Sequence, residues 1–211
     1  MESENKLWEL IEERTRVGAD VAAIDRQIWD LFGEEWAIMY TDLAGFSRRV
    51  ARFGIIHFLQ VIYESKRLLL PIASRHGGSL IKSDGDSVIL LFRSAVRALE
   101  AAIEMQRACG NENARRVPEE QILFCVGIGF GKLLRIGESD VWGEEVNAAS
   151  KLGEDMAQAY EILVTEGARR ACGDVDGVTF EPLADQVSAF TGYRAAYPGG
   201  RARRSPPTSP A

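Results

Sequence analysis

Two aspartates in this sequence stand at the ends of apolar runs. Asp42 closes WAIMYTD (Trp36 to Asp42), and Asp86 opens DSVILLF directly after the pair Asp84-Gly85. A carboxylate on or beside a buried strand costs several kcal/mol, about 3–5 kcal/mol where a partner is removed, unless something cationic compensates. If the two strands are neighbours, both acids converge on a hard cation such as Mg²⁺, which takes carboxylates, carbonyls, water and substrate phosphates as ligands. After Asp42 comes LAGFS (Leu43 to Ser47), a small-residue turn opening a helix. Free backbone N–H groups there would face an anion beside the metal. The combination suits a metal-bound nucleotide polyphosphate.

Each residue also has a plainer role. An Asp-Gly pair is most often only a hairpin turn, and Asp84 is read that way. Asp42 alone serves equally well as the N-cap of the following helix. Lys82, taken alone, is a solvated or snorkelling strand residue. Asn147 and Lys151, four apart, share one helix face, and such a pair is usually just exposed.

The elements that must position these groups can be read along the chain. Apolar residues from Leu7 to Phe32 recur at helical spacing, and Gly18 divides that preface in two. After the strand Trp36 to Asp42, two helical stretches run from about Gly45 to His76, and His76-Gly77-Gly78 stops the second. Asp84-Gly85 then predicts a two-residue hairpin joining strands over Ser79 to Ser83 and Asp86 to Phe92. A helix from Ser94 to about Cys109 and a polar loop follow. ILFCVGIGFG (Ile122 to Gly131) is a buried strand, with KLLRI (Lys132 to Ile136) as a candidate partner for it. WGEEVNAASKLGEDMAQAYE is helical, ILVT a strand, EGARRACG a short helix, and VTFEPL and FTGYRAAY two more strands. This order predicts an α+β fold with a ferredoxin-like βαββαβ core, its mixed and mainly antiparallel sheet covered by helices. The segments are a helical extension over 1–35, a catalytic or binding domain over 36–197, and a disordered Pro-, Gly- and Arg-rich tail over 198–211.

Composition excludes several classes. With 211 residues, 46% hydrophobic and 27% charged, the chain is long enough to bury a core. A net charge of -6 argues against a nucleic-acid binder, which needs a clustered basic surface. The sequence shows neither a membrane span nor a signal peptide, so a cytoplasmic location is expected. Cys109, Cys125 and Cys172 lack any paired spacing and read as buried thiols.

In their order, YTDLAGFS, IKSDGD and DVWGEEVNAASKL closely resemble the signature segments of the class III adenylyl/guanylyl nucleotide cyclase catalytic domain. The resemblance covers roughly Trp36 to Tyr197 and is that of a divergent bacterial-type member. It implies that Asp42, Asp86 and the carbonyl of Leu43 hold two Mg²⁺ or Mn²⁺ ions, with Leu43 to Ser47 (Leu43, Ala44, Gly45, Phe46, Ser47) lying along the phosphates. Lys82 and Asp140 match the base-recognising pair, which suits adenine because an ammonium donates to a ring nitrogen and a carboxylate accepts from the amine. Asn147 would orient the ribose, and Lys151 would occupy the transition-state position. Family members work as dimers with sites at the interface, so a homodimer with composite sites is implied here; with the adenine pair, the implied activity is ATP to 3′,5′-cyclic AMP and pyrophosphate, in intracellular signalling.

Three departures accompany the likeness. Lys151 stands where the family has arginine, keeping the charge without the planar fork. Only KLLRIGES separates GFG from DVWG, a shortened hairpin in which Arg135 is the candidate substitute cation. ADQVSAFTG (Ala184 to Gly192) lacks the lysine that commonly reaches the triphosphate. Two functions therefore stand side by side: an active ATP cyclase, and a weak or silent cyclase-homology module that binds nucleotide or a partner protein. The helical preface is either a dimerisation or signal-transmitting element, or a cover for the domain's own core.

Overall fold

The computed structural model describes residues 2–183 and 191–200, apart from the side chains of Phe46 and Ser47. Helices α1 (Glu2–Arg14) and α2 (Val21–Phe32) are separated by a turn in which Gly18 takes φ +83°. Asp20 caps α2 by accepting from the Ala23 N–H at 3.0 Å. Strand β1 (Gly33–Leu43) follows directly, three residues earlier than the apolar run alone indicated. Next come α3 (Phe46–Phe53) and α4 (Ile55–Arg75), split at Gly54 with φ +84°. The hairpin of β2 (Ser79–Asp84) and β3 (Ser87–Phe92) leads to α5 (Ala95–Asn113), capped by the Ser94 hydroxyl.

The remaining elements are β4 (Phe124–Ile136), β5 (Asp140–Trp142), α6 (Glu144–Ser150), β6 (Ile162–Thr165), α7 (Glu166–Cys172), β7 (Thr179–Pro182) and β8 (Gly192–Ala196). A π-helical turn, Lys151–Met156, continues α6. Among the described residues one sheet runs β2-β3-β1-β4-β6-β8-β7, with β5 paired to β4. Among its described pairings only β4–β6 is parallel. Strands β1 to β4 with their helices form the expected ferredoxin-like core, in the order β4-β1-β3-β2.

Strand alternation divides the sheet into two unlike faces. Ala37, Met39 and Leu43 of β1 and Val88, Leu90 and Phe92 of β3 join the large core under α4, α5 and α7. Trp36, Ile38, Leu91 and Leu133 face the other way, into a small cluster with Val146 and Ala149 of α6. Glycines make that second face possible. A Cβ on Gly127 would lie 2.1 Å from the Ala149 carbonyl oxygen, and one on Gly129 would lie 2.6 Å from that of Glu145. Alternate glycines on β4 thus let α6 lie almost on the strand backbone.

Four local expectations are corrected. KLLRI does not pair back on the preceding strand; it continues β4 through to Ile136, and the partner is the short β5. The helix after Ser94 extends into the polar loop as far as Asn113. The helical segment after Trp142 ends at Met156. The two-residue turn is Gly85-Asp86 rather than Asp84-Gly85: Asp84 pairs with Ser87, and Gly85 takes the positive φ of +54°. The helical preface closes on itself through Leu7, Leu10, Ile24, Ile28 and Phe32 and packs on Ile136 at the far end of β4. The cysteines are free and buried. The expected tail over 198–211 lies outside the described residues from Arg201 onward.

Candidate active site

Asp42 emerges on the small-cluster face, one residue before β1 ends. The β1–β3 register pairs Thr41 with Val88, so the hairpin turn just beyond Ser87 meets the end of β1. Asp86, carried in that turn, therefore faces Asp42. Burial first, and then the facing Asp86 carboxylate, push Asp42 up to about 6, while the Leu43 N–H favours its charged form. Asp86 is raised as well, chiefly by burial, with its own N–H and the hydrogen bond from Asp42 opposing. Both half-buried acids hold a proton more tightly than a solvated carboxyl does, and a cation between them would relieve that cost.

The donor set fits a hard divalent ion. It is all oxygen, and among the described residues Lys66 is the cation that favours ionisation of Asp86. Among the described residues no three His, Cys, Asp or Glu side chains converge as a metal cage. A cation on this pair would take its other ligands from a carbonyl such as that of Leu43, from water and from a substrate, the habit of Mg²⁺.

The segment after Asp42 is less open than expected. Leu43 is buried, and the Ala44 N–H is already committed to the Leu123 carbonyl at 2.7 Å. Gly45, exposed at φ +81°, makes the turn into α3 without a side-chain cap. The side chains of Phe46 and Ser47 lie outside the described residues.

Lys82 is exposed on the edge strand β2, beside a register shift at Leu80/Lys82. Asp140 opens β5, half-buried, its side chain accepting from the Val141 N–H at 3.0 Å. Strands β2 and β5 touch, so these two residues sit on neighbouring elements. Asn147 and Lys151 are exposed on α6 and the turn that follows it. Among the described residues, Lys82, Asn147 and Lys151 have no side-chain hydrogen bond or ion pair within the chain. Arg135 differs. Its guanidinium lies 5.2 Å from the Trp36 ring and bonds Glu138 at 3.2 Å. Cys125 is opposite Asp42, so Arg135 lies ten residues further along β4, about 33 Å of strand contour away. Among the described residues nothing brings it to the acid pair.

Three neighbours of the pair were not singled out from the sequence. Lys66 of α4 donates to the Gly85 carbonyl at 3.1 Å. Ser87 donates to Glu154 at 3.0 Å, and Glu154 also accepts from Ser150 at 3.0 Å. Only the tight sequence GDS hinted at Ser87. The cleft of 740 Å³ beside His76, Glu100 and Tyr197 lies on the large-core side and holds none of these groups.

The description Adenylate and Guanylate cyclase catalytic domain matches residues 32–186. A relative described as putative adenylate cyclase 3 of Rhizobium meliloti (strain 1021) is 32% identical over 132 residues, covering 62% of this chain and 22% of its own length. An adenylate cyclase of Streptomyces coelicolor is 28% identical over 163 residues, 72% of this chain and 39% of that protein. The chain thus spans well under half of either relative. The crystal structure of the guanylyl cyclase Cya2 superposes with a TM-score of 0.67 at 19% identity, covering 78% of this chain and 93% of that one, a likeness of fold. With the acid pair on adjoining strand ends, the ferredoxin-like strand order and a match over most of its length, the chain belongs to the adenylate and guanylate cyclase catalytic domain family.

Proposed function

We propose that this chain is one half of a homodimeric adenylate cyclase that converts ATP to 3′,5′-cyclic AMP and pyrophosphate. The observation that carries the proposal is the facing pair Asp42 and Asp86, two enclosed acids beside which Lys66 is the cation that favours ionisation among the described residues. Both carboxylates and the Leu43 carbonyl would hold two Mg²⁺ or Mn²⁺ ions per site. The ions would supply acidity at the ribose 3′-hydroxyl and charge neutralisation at the triphosphate.

The chain's own residues then bind and orient. Lys82 donates to an adenine ring nitrogen while Asp140 accepts from the exocyclic amine. Asn147 holds the ribose so that the 3′-oxygen lies in line with the α-phosphorus. As the new P–O bond forms and the bond to pyrophosphate breaks, Lys151 stabilises charge growing on the phosphoryl oxygens. Lys82, Asp140, Asn147 and Lys151 of one chain complete the site begun by Asp42 and Asp86 of the other. The partnerless Lys82, Asn147 and Lys151 support this division, as do Leu80 and Trp142, each about half exposed (47% and 53%) on the strands of Lys82 and Asp140. A two-fold dimer repeats the arrangement twice.

Purified protein given ATP or GTP with Mn²⁺ is expected to release cyclic AMP and pyrophosphate and to prefer ATP, with the preference weakened in Lys82→Ala. Mixing Asp42→Ala chains with Asn147→Ala chains should restore activity that neither has alone. Equal use of both bases refutes the adenine assignment; exchange of chains without recovery refutes the composite site. The second reading, a module that binds nucleotide without turnover, is favoured by the committed Ala44 N–H and by lysine at 151. It predicts nucleotide and Mn²⁺ binding with no product.

A further inference from the structure

Glu154 has a place in this site that its exposure hides. It lies on the π-helical turn rather than on regular helix, and such turns displace side chains from the α-helical track, often at functional sites. Packing fixes the turn: a Cβ on Gly153 would lie 2.9 Å from the Tyr40 carbonyl oxygen and 3.0 Å from the Gly127 nitrogen. From there one carboxylate oxygen accepts from Ser87 and the other from Ser150, both at 3.0 Å. Ser87 has a single hydroxyl proton. Given to Glu154, it leaves Asp42 at the longer distance of 3.5 Å. The Glu154 charge is also felt at Asp42, Asp86 and Tyr40.

We propose that Glu154 is a positioning residue that, through Ser87, fastens the hairpin bearing Asp86 to the helix bearing Asn147 and Lys151. The inference rests on the composite-site reading above. There, the two fastened pieces belong to different sites, so the Ser87–Glu154 bond joins the metal-holding half of one site to the ribose- and phosphate-holding half of the other. Loss of the bond frees the turn, and Asp86 must then be ordered at the expense of metal binding. Glu154 is not a ligand in this account. Its carboxylate works as an acceptor, which an amide oxygen can replace.

The test is direct Mn²⁺ binding to the full chain without nucleotide, read by paramagnetic resonance of the free ion, together with kcat and KM for ATP. Glu154→Ala is expected to weaken Mn²⁺ binding by about three- to tenfold, the net size of one ordinary hydrogen bond. Glu154→Gln should bind within about twofold of wild type, since the acceptor remains. Ser87→Ala should match Glu154→Ala, and the double variant should be no weaker than either, because both changes remove one bond. A Gln variant as damaged as the Ala variant would make charge the active property and overturn the tether. Additive losses in the double variant, or an Ala variant with unchanged binding and turnover, would overturn it as well. Asp86→Ala separates the two levels: if it leaves Mn²⁺ binding intact, the metal assignment fails; if it abolishes binding while Glu154→Ala does nothing, the tether alone fails.

Discussion

Glu161 and Asp42 are both carboxylates drawn into the protein, and they are treated in opposite ways. Glu161 is buried, and Arg194 donates to it at 2.9 Å while the Gln158 N–H binds its second oxygen at 3.0 Å. Glu64 is likewise met by Arg116, which holds its carboxyl below the usual range. Asp42 instead faces Asp86 and is pushed up to about 6. A fold that can place arginine against Glu161 and Glu64 could place one against Asp42. Where it gives an enclosed acid another acid as its main neighbour, the missing positive charge is expected from outside the chain.

The sharpest way to break this contrast is to truncate both kinds of acid. Asp42→Ala or Asp86→Ala should abolish Mn²⁺ binding and any metal-dependent turnover while leaving the metal-free protein at least as stable, because an unfavourable buried charge is removed. Calorimetry with and without Mn²⁺ measures both effects, and Mn²⁺ binding that persists in both variants would sink the metal assignment. Glu161→Ala should do the reverse. Leaving Arg194 with only the more distant Glu181 at 3.8 Å, and the Gln158 N–H without its acceptor, should cost about 1–3 kcal/mol, with Mn²⁺ affinity unchanged. A loss of metal binding in that variant would mean that the two regions are not independent.

Acidity separates the regions next. Asp42 has its pKa raised from 3.8 to about 6 on folding. Between those values the folded chain keeps a proton that the unfolded chain has released. The resulting stabilisation is complete below about 4 and is lost as pH rises through about 6. Metal-free wild type should therefore lose stability relative to Asp42→Asn as pH is raised from 4 to 7. Glu64, with its lowered pKa, has the opposite sign: it stabilises above the usual carboxylate range and ceases to do so on acidification. Mn²⁺ would compete with the proton on Asp42, so its effect on the melting temperature should grow from pH 5 to pH 7 and vanish in Asp42→Asn. Parallel stability curves for wild type and Asp42→Asn would remove the contrast.

Much of this was legible in the chain because strand ends are loud signals. An apolar run closing on Asp42 and another opening at Asp86 announced the pair, and the helix and strand order announced the ferredoxin-like core. The turn was misplaced by one residue because an Asp-Gly pair fits a hairpin in more than one register; the positive φ at Gly85 is then followed by Asp86 within the turn. KLLRI does not announce itself as part of the same strand, since the run before it ends on Gly131. Here Gly127, Gly129 and Gly131 are instead spaced by two to admit α6. Glu154 gives no such signal: helical spacing places it on an exposed face, and its partner Ser87 is 67 residues away in sequence.

The contrast has a counterpart among the cations, where the smallest effect is expected. Arg135 and Arg194 are engaged within the chain, whereas Lys151 has no ion pair among the described residues. If Lys151 waits for a phosphoryl group held by the partner's acids, its contribution should be largest as charge develops in the transition state. A guanidinium offers a planar fork that an ammonium lacks, and about 1 kcal/mol of additional stabilisation would raise the rate roughly fivefold. Lys151→Arg should therefore raise kcat by about that factor with little change in KM for ATP, whereas Lys151→Ala should lower kcat and leave metal binding intact. Exposure at 151 leaves room for the larger head group, so the fold should tolerate it. Unaltered or lower turnover in Lys151→Arg would mean either that the surroundings are fitted to lysine or that position 151 does not meet the phosphoryl group. An unchanged kcat in Lys151→Ala selects the second, and the free cation would then be a surface lysine like any other.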